Sequence, residues 1–306
     1  MIKILANELR PTKFDEVIGQ NHIVNILAQA FEKNQVPNTI LFVGPRGSGK
    51  TSVARIVANE LGCTNPLEID GASNRGIDNA RELQDRSKYV PADGKLVVII
   101  DEFHQITSQA FEALLKLLEE PPEYMTIVLC TTELSKVPKT ILSRCYKFNF
   151  HPIPDDIMEK YIVHVAKKKK IKISEDGVSA LVKLSDGSLR DALNGLEQVS
   201  LYSDSIDANS LRDVFGLPPE KTVKSAFEII KKKDVESLIN FAREIKQEGT
   251  GARSLMFEMI NTLKKFEFND RRRKMFEILC ESCLNFDYTK DDELTILVTL
   301  MKLMEI

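Results

Sequence analysis

The spacing of apolar residues changes character near residue 151 and divides the chain in two. Before that point, short apolar, β-branched runs alternate with stretches of helical spacing. Thr39-Ile40-Leu41-Phe42-Val43, Leu67-Glu68-Ile69-Asp70, Leu96-Val97-Val98-Ile99-Ile100, Thr126-Ile127-Val128-Leu129-Cys130 and Cys145-Tyr146-Lys147-Phe148-Asn149-Phe150 read as strands. Residues 52–61, 76–88, 108–119 and 138–143 read as helices. This alternation predicts an α/β domain with a parallel sheet covered by helices on both faces. After His151-Pro152-Ile153-Pro154 the strand signals fade and helical periodicity runs to the end. Val235, Leu238, Ile239, Ala242 and Ile245 fall on one expected helix face, and Leu255, Met259, Leu263 and Phe266 on another. Gly216-Leu217-Pro218-Pro219 and Gly249-Thr250-Gly251 interrupt the pattern. The expected domains are therefore 1–151, a small helical domain 152–205, and a helical bundle 206–306.

One stretch carries chemistry. Gly44-Pro45-Arg46-Gly47-Ser48-Gly49-Lys50-Thr51, followed by Ser52, fits G-x-x-x-x-G-K-[ST] at every fixed position and lies between an expected strand and an expected helix. In such a loop, glycines let backbone N–H groups curl around phosphate oxygens, and the helix N-terminus adds partial positive charge. Lys50 would reach the β and γ phosphates, and the Thr51 hydroxyl would ligate magnesium. The stretch predicts a nucleoside triphosphate site.

Composition narrows the setting. The 306 residues are 43% hydrophobic and 28% charged, as in soluble globular proteins. No apolar run approaches the roughly 20 residues of a membrane span, and Met1-Ile2-Lys3 opens no signal peptide. A cytoplasmic location without a membrane partner is expected. A net charge of −3 argues against binding nucleic acid through bulk positive charge, so any DNA contact must be local. Lys167–Lys170 and Arg271–Arg273 are read as solvated helix ends that complement the helix dipole. The five cysteines are too scattered for a disulfide framework. Cys280-Glu281-Ser282-Cys283 lacks the second ligand pair of a structural zinc site and reads as two thiols on a helix.

A second tier supports the phosphate loop. Val97-Val98-Ile99-Ile100-Asp101-Glu102 is an apolar strand ending in two carboxylates, with Asp101 placed to hold magnesium and Glu102 to polarise a water as general base. Thr131-Thr132 follows the next strand; one of the two, Thr132 or its neighbour Thr131, is the candidate for orienting that water, with an ordinary turn or helix cap as the alternative. Ser143-Arg144-Cys145 and Gly187-Ser188-Leu189-Arg190 each supply an arginine, whose planar fork suits phosphate oxygens.

Together, Arg10-Pro11, Phe14-Asp15-Glu16-Val17-Ile18-Gly19-Gln20, the loop 44–51, Glu68-Ile69-Asp70-Gly71-Ala72-Ser73-Asn74, Leu114-Leu115-Lys116-Leu117-Leu118-Glu119-Glu120-Pro121-Pro122 and Ser143-Arg144-Cys145 resemble the clamp-loader AAA+ ATPases. Within them the chain is most similar to the gamma/tau group of bacterial DNA polymerase III. The resemblance is dense over 8–200 and thin beyond. It implies an α/β P-loop ATPase domain, a helical lid and an all-α collar that joins other clamp-loader subunits in a five-membered ring. It implies ATP and magnesium as ligands, and a sliding clamp and primer–template DNA as partners. Arg144 would act in trans on a neighbour's γ-phosphate and Arg190 in cis, while Arg10, Pro11, Val17 and Ile18 would border adenine and ribose. Ser73, Asn74, Arg75, Thr107 and Ser108, at expected helix starts, would track DNA phosphates, with simple helix capping as the alternative. Two departures are visible. Only Cys63 stands where the group usually carries a four-cysteine zinc module, so no zinc is expected. The sequence stops at Ile306, so the long tau extension is expected to be missing. The rival functional expectations are a structural ring subunit with little hydrolysis, and a motor on branched DNA or helicase loader.

Overall fold

The structure, a computed structural model, describes residues 4–91, 94–267, 269–289 and 291–306. Its contacts separate into two compact units, Met1–Lys170 with Val178–Glu197, and Ile171–Gly177 with Gln198–Ile306.

The first unit is built on a five-stranded sheet: β1 (Thr39–Val43), β2 (Leu67–Asp70), β3 (Leu96–Asp101), β4 (Met125–Thr131) and β5 (Tyr146–Asn149), in the order β2-β3-β4-β1-β5. Every pairing is parallel. The central strands are the most apolar, and β4 is buried at all seven positions. Successive side chains of a strand point to opposite faces, so each strand feeds two cores. Leu41, Val98, Ile100 and Leu129 join the helices Ile77–Arg86 and Ser108–Glu119 on one side. Ile40, Phe42, Val97, Ile99 and Val128 join Asn21–Glu32 and Lys50–Glu60 on the other. The register aligns Asp70 with Asp101 and Val43 with Thr131, which gathers polar strand ends along one edge of the sheet.

In the second unit, helices Glu220–Lys232, Val235–Gln247, Ala252–Leu263, Asp270–Thr289 and Asp292–Met304 enclose a core that includes Leu238, Ala242, Met259, Leu279 and Leu300. Gly216 takes a left-handed conformation after Ala208–Phe215, and Pro219 caps the next helix, so the expected break is present.

Several expected details are corrected. Val235 and Ile239 are 47% and 36% exposed, and Phe241 is buried in their place. The apolar stripe of that helix is centred between Phe241 and Ala242, which turns the other two residues to its margin. Phe266 lies beyond the helix that ends at Leu263 and is exposed, with Arg272 stacked over its ring. Lys167–Lys169 do occupy a helix C-terminus, where cations suit the dipole. Arg271–Arg273 instead open Asp270–Thr289, the unfavourable end. They are satisfied locally: Arg272 donates to the Glu267 carbonyl and Arg273 pairs with Glu277. A two-stranded parallel ladder, Lys172–Ile173 with Ser205–Ile206, also appears where no strand was expected.

Candidate active site

The phosphate loop follows β1 and runs into the helix Lys50–Glu60. Gly47 and Gly49 have φ of 74° and 101°, left-handed values that carry a steric cost for any residue with a Cβ. At Gly47 space decides as well, because a Cβ would sit 1.9 Å from the Ser188 hydroxyl. The loop is thus pressed against the start of the helix Leu189–Tyr202, which carries Arg190.

Lys50 is buried, and its Nζ donates to the carbonyls of Gly44 and Pro45, each at 2.8 Å. Burial pushes its ammonium below the ordinary lysine range; Cys130, Asp101 and Glu102 oppose that, and Arg190 adds to it. A buried ammonium whose hydrogen bonds go to neutral carbonyls is costly, and anionic phosphate oxygens are better partners for it. The Ser48 hydroxyl donates to the Pro45 carbonyl at 2.8 Å. Gln20 braces the loop from outside, donating to the carbonyls of Ser48 and His151 at 3.3 and 2.7 Å. The sequence signalled Gln20 only as the last residue of the run 14–20, with no role attached.

At the ends of β3 and β4 the acidic groups meet the loop. The Thr51 hydroxyl donates to Asp101 Oδ2 at 2.6 Å, and the other oxygen, Oδ1, accepts the Glu102 N–H at 2.9 Å. A hydroxyl and a carboxylate converging beside a phosphate loop are hard oxygen donors of the kind magnesium takes, so these residues fit that ion. Glu102 has φ 44°, ψ 42°, left-handed for a residue with a side chain, a conformation that costs about 1–3 kcal/mol and persists when the surroundings impose it. Its Oε2 accepts from the Thr132 hydroxyl at 3.3 Å. Thr131 is fully buried and turns toward His104, 3.1 Å from Nδ1. Of the two threonines, Thr132 is the one beside the carboxylate.

Lys50, Thr51, Asp101 and Glu102 line one cleft within the first unit, and Thr132 is not among the residues that line it. Arg10, Pro11, Val17 and Ile18 border it, Arg46 to Ser52 with Asp101 and Glu102 form its floor, and Arg190 reaches it from Leu189–Tyr202. Gly44 and Pro45 lie beneath, as acceptors for Lys50. Arg144 is not among the residues that line this cleft. It pairs with Glu119 at 3.0 Å, at the end of Ser108–Glu119, and its Nε is buried without a partner among the described residues.

The proposed DNA-contact residues form a separate exposed cluster. Asp70 accepts from the Ser73 hydroxyl at 2.6 Å and from the Ala72 N–H, bonds that hold its carboxyl below the usual range. Asn74 donates to the Asp70 carbonyl. Arg75 donates to the Ala72 carbonyl at 2.8 Å and to Gln105 at 3.0 Å. The Thr107 N–H donates to the Arg75 carbonyl, while its side chain caps Ser108–Glu119. The starts of two helices are thereby joined. At Thr107 the side chain does what simple helix capping expects, accepting the Ala110 N–H.

Cys63 is buried, and Cys280 and Cys283 pack on the helical core. Among the described residues no group of three or more His, Cys, Asp or Glu side chains is placed to hold a metal, and no helix is long and apolar enough to cross a membrane.

Comparison with known proteins gives this geometry a family. Residues 69–154 match the family model described as DNA polymerase III, delta subunit. The structure resembles the Thermotoga maritima RuvB Holliday junction branch migration motor, with a TM-score of 0.58 at 23% identity over 74% of this chain and 80% of that one. At that identity the likeness concerns the fold. DNA polymerase III subunit gamma/tau of Mycoplasma pneumoniae is 39% identical over 70% of this chain, which spans only 35% of that relative. DNA polymerase III subunit gamma of Buchnera aphidicola from Acyrthosiphon pisum is 32% identical over 85% of this chain and 79% of its own length. The chain belongs to the DNA polymerase III gamma/tau family.

Proposed function

We propose that this chain is the ATP-hydrolysing motor subunit of a sliding-clamp loader. The observation that carries the reading is the convergence, beside the phosphate loop, of Thr51 with Asp101 at 2.6 Å and of Thr132 with Glu102 at 3.3 Å. A subunit that merely held a ring together would need few of these groups. Lys50 and the loop N–H groups bind the β and γ phosphates, and Thr51 and Asp101 hold magnesium. When bound, that ion offsets the charge that builds on the phosphate oxygens. Glu102, with Thr132 beside it, orients the attacking water and takes its proton. Arg190 meets the γ-phosphate of its own site. Arg144, displaced from the cleft, serves the site of the adjacent subunit.

On this reading 1–151 is the ATPase domain, 152–205 the lid and 206–306 the collar of a pentameric ring with other clamp-loader subunits. Arg10, Pro11, Val17 and Ile18 border adenine and ribose. Ser73, Asn74, Arg75, Thr107 and Ser108 follow primer–template phosphates without reading bases, as helix starts do. ATP binding opens the clamp and grips DNA, and hydrolysis releases both.

The test is steady-state ATP hydrolysis by the full chain assembled with its partner subunits, alone, with primed DNA, and with primed DNA plus the clamp. Stimulation that needs both the primer junction and the clamp is the expected result. Indifference to the clamp would move the assignment to a motor on other DNA. Retained ATP binding without hydrolysis would leave a structural subunit.

A further inference from the structure

The nucleotide chemistry above makes no use of His104, yet this ring is enclosed beside the proposed base, with 2% side-chain exposure. Both of its edges face carboxylates. Nδ1 is 3.5 Å from Glu102 Oε2 and 3.1 Å from the Thr131 hydroxyl. Nε2 is 3.2 Å from Glu133 Oε1 and 3.3 Å from the Gln105 amide. Glu102 follows β3 and Glu133 follows β4, so the ring spans the ends of two adjacent strands.

The neighbours are themselves held. The Thr131 hydroxyl accepts the Glu133 N–H at 3.1 Å, and Glu133 pairs with Lys136 at 2.9 Å. The left-handed turn at Glu102 leads into the 3-10 turn Phe103–Gln105, which folds His104 back beneath the strand ends. A histidine kept only to fill space would satisfy its two nitrogens with any polar group. Here one edge bonds the Thr131 hydroxyl and lies 3.5 Å from the oxygen that Thr132 also meets, and the other edge is tied to a second strand.

We infer that His104 is a positioning residue that clamps Glu102 Oε2 against Thr132, with Glu133 as its anchor. Glu102 is half-exposed and has several rotatable bonds, so without such a clamp its carboxylate would sample many directions. Fixing it before ATP arrives removes that disorder from the catalytic step. This inference rests on the reading of Glu102 as general base.

Two substitutions separate positioning from packing, because an Asn amide can take the place of Nδ1 and a Gln amide that of Nε2. In the full chain, His104→Gln keeps the Glu133 side and releases Glu102. Single-turnover ATP hydrolysis should then fall by up to roughly 10²-fold, the scale of a small misplacement at a reacting centre. His104→Asn should retain most of the rate, and affinity for a fluorescent ATP analogue should hold in both. Equal rates in the two variants, or rates that simply follow their melting temperatures, would overturn the inference.

A second measurement needs no nucleotide. In the ligand-free chain, Glu102→Gln should move the ring ¹⁵N signal of Nδ1, and Glu133→Gln that of Nε2. Ring signals indifferent to Glu102→Gln would also overturn it. Should the native chain fail to hydrolyse ATP, or Glu102→Gln hydrolyse it normally, the loss falls on the general-base reading, while the ring signals still decide whether His104 grips Glu102.

Discussion

The two units bury different kinds of polar group. The first buries an ammonium, an imidazole and an amide, those of Lys50, His104 and Gln20, near the end of its parallel sheet. The second, among the described residues, buries only hydroxyls: Ser210, Thr222, Thr250, Thr295 and Thr299. Such hydroxyls cost little, because a nearby backbone carbonyl or a second hydroxyl satisfies them. Thr295 bonds the Asp291 carbonyl and Thr299 bonds Ser282. A buried ammonium costs far more. The difference teaches that the first unit carries groups whose placement serves a ligand, and the second is organised around apolar packing.

Four experiments would break or sharpen that contrast. The largest effect is expected at Arg144, which lies in the polar unit yet outside its cleft. In mixed rings, Arg144→Ala should lower hydrolysis at the neighbouring site by about 10³–10⁵-fold, the range known for arginine fingers, and leave ATP affinity at its own site unchanged. A rate loss that followed the variant's own nucleotide site would remove the trans role.

Next comes Lys50→Met, which keeps volume and deletes the charge. Removal of one preorganised charge should weaken ATP binding by on the order of 10²–10³-fold. Calorimetry should find the melting temperature unchanged or higher, because burial penalises the ammonium. A marked fall would mean that Lys50 serves the fold rather than the ligand.

In the helical unit the expectation reverses. Leu238→Ala or Leu300→Ala, each at a fully buried site, should cost about 2–5 kcal/mol in denaturant unfolding of that unit. ATP affinity should stay within error of the parent, and a linked fall would erase the separation of roles.

The smallest effect is a pH dependence. Lys50 is held below the ordinary lysine value, chiefly by burial. Phosphate favours its charged form, so binding takes up a proton once pH exceeds the lowered value. ATP affinity should therefore decline through that alkaline window by at most about tenfold per pH unit, while fold stability rises because the penalised ammonium is lost. Lys50→Met should remove this decline. Equal alkaline decline in both proteins would assign it to another group.

Much of this was legible in the chain itself. The central strands and the loop 44–51 were readable because continuous apolar runs and left-handed glycines are local requirements. Phe266 and Arg271–Arg273 were not placed correctly because their surroundings are set by partners brought together by folding, such as the Phe266–Arg272 stack. The short ladder of Lys172–Ile173 with Ser205–Ile206 escaped notice because each strand has only two residues and depends on its distant partner. At the site, Thr131 and Thr132 were indistinguishable as neighbours in sequence. Their alternation at the end of β4 sends one to His104 and the other to Glu102.

The sequence alone determined the alternation of strand and helix, the phosphate loop and the acidic pair, since these depend on spacing within a few residues. Tertiary structure decided which distant groups meet. Folding joined Thr51 to Asp101, brought Glu119 to Arg144, and closed His104 between Glu102 and Glu133. Apart from the approach of His104 to Glu102, made within one turn, each of these contacts joins separate elements, and no local periodicity encodes an approach whose distance is set by packing.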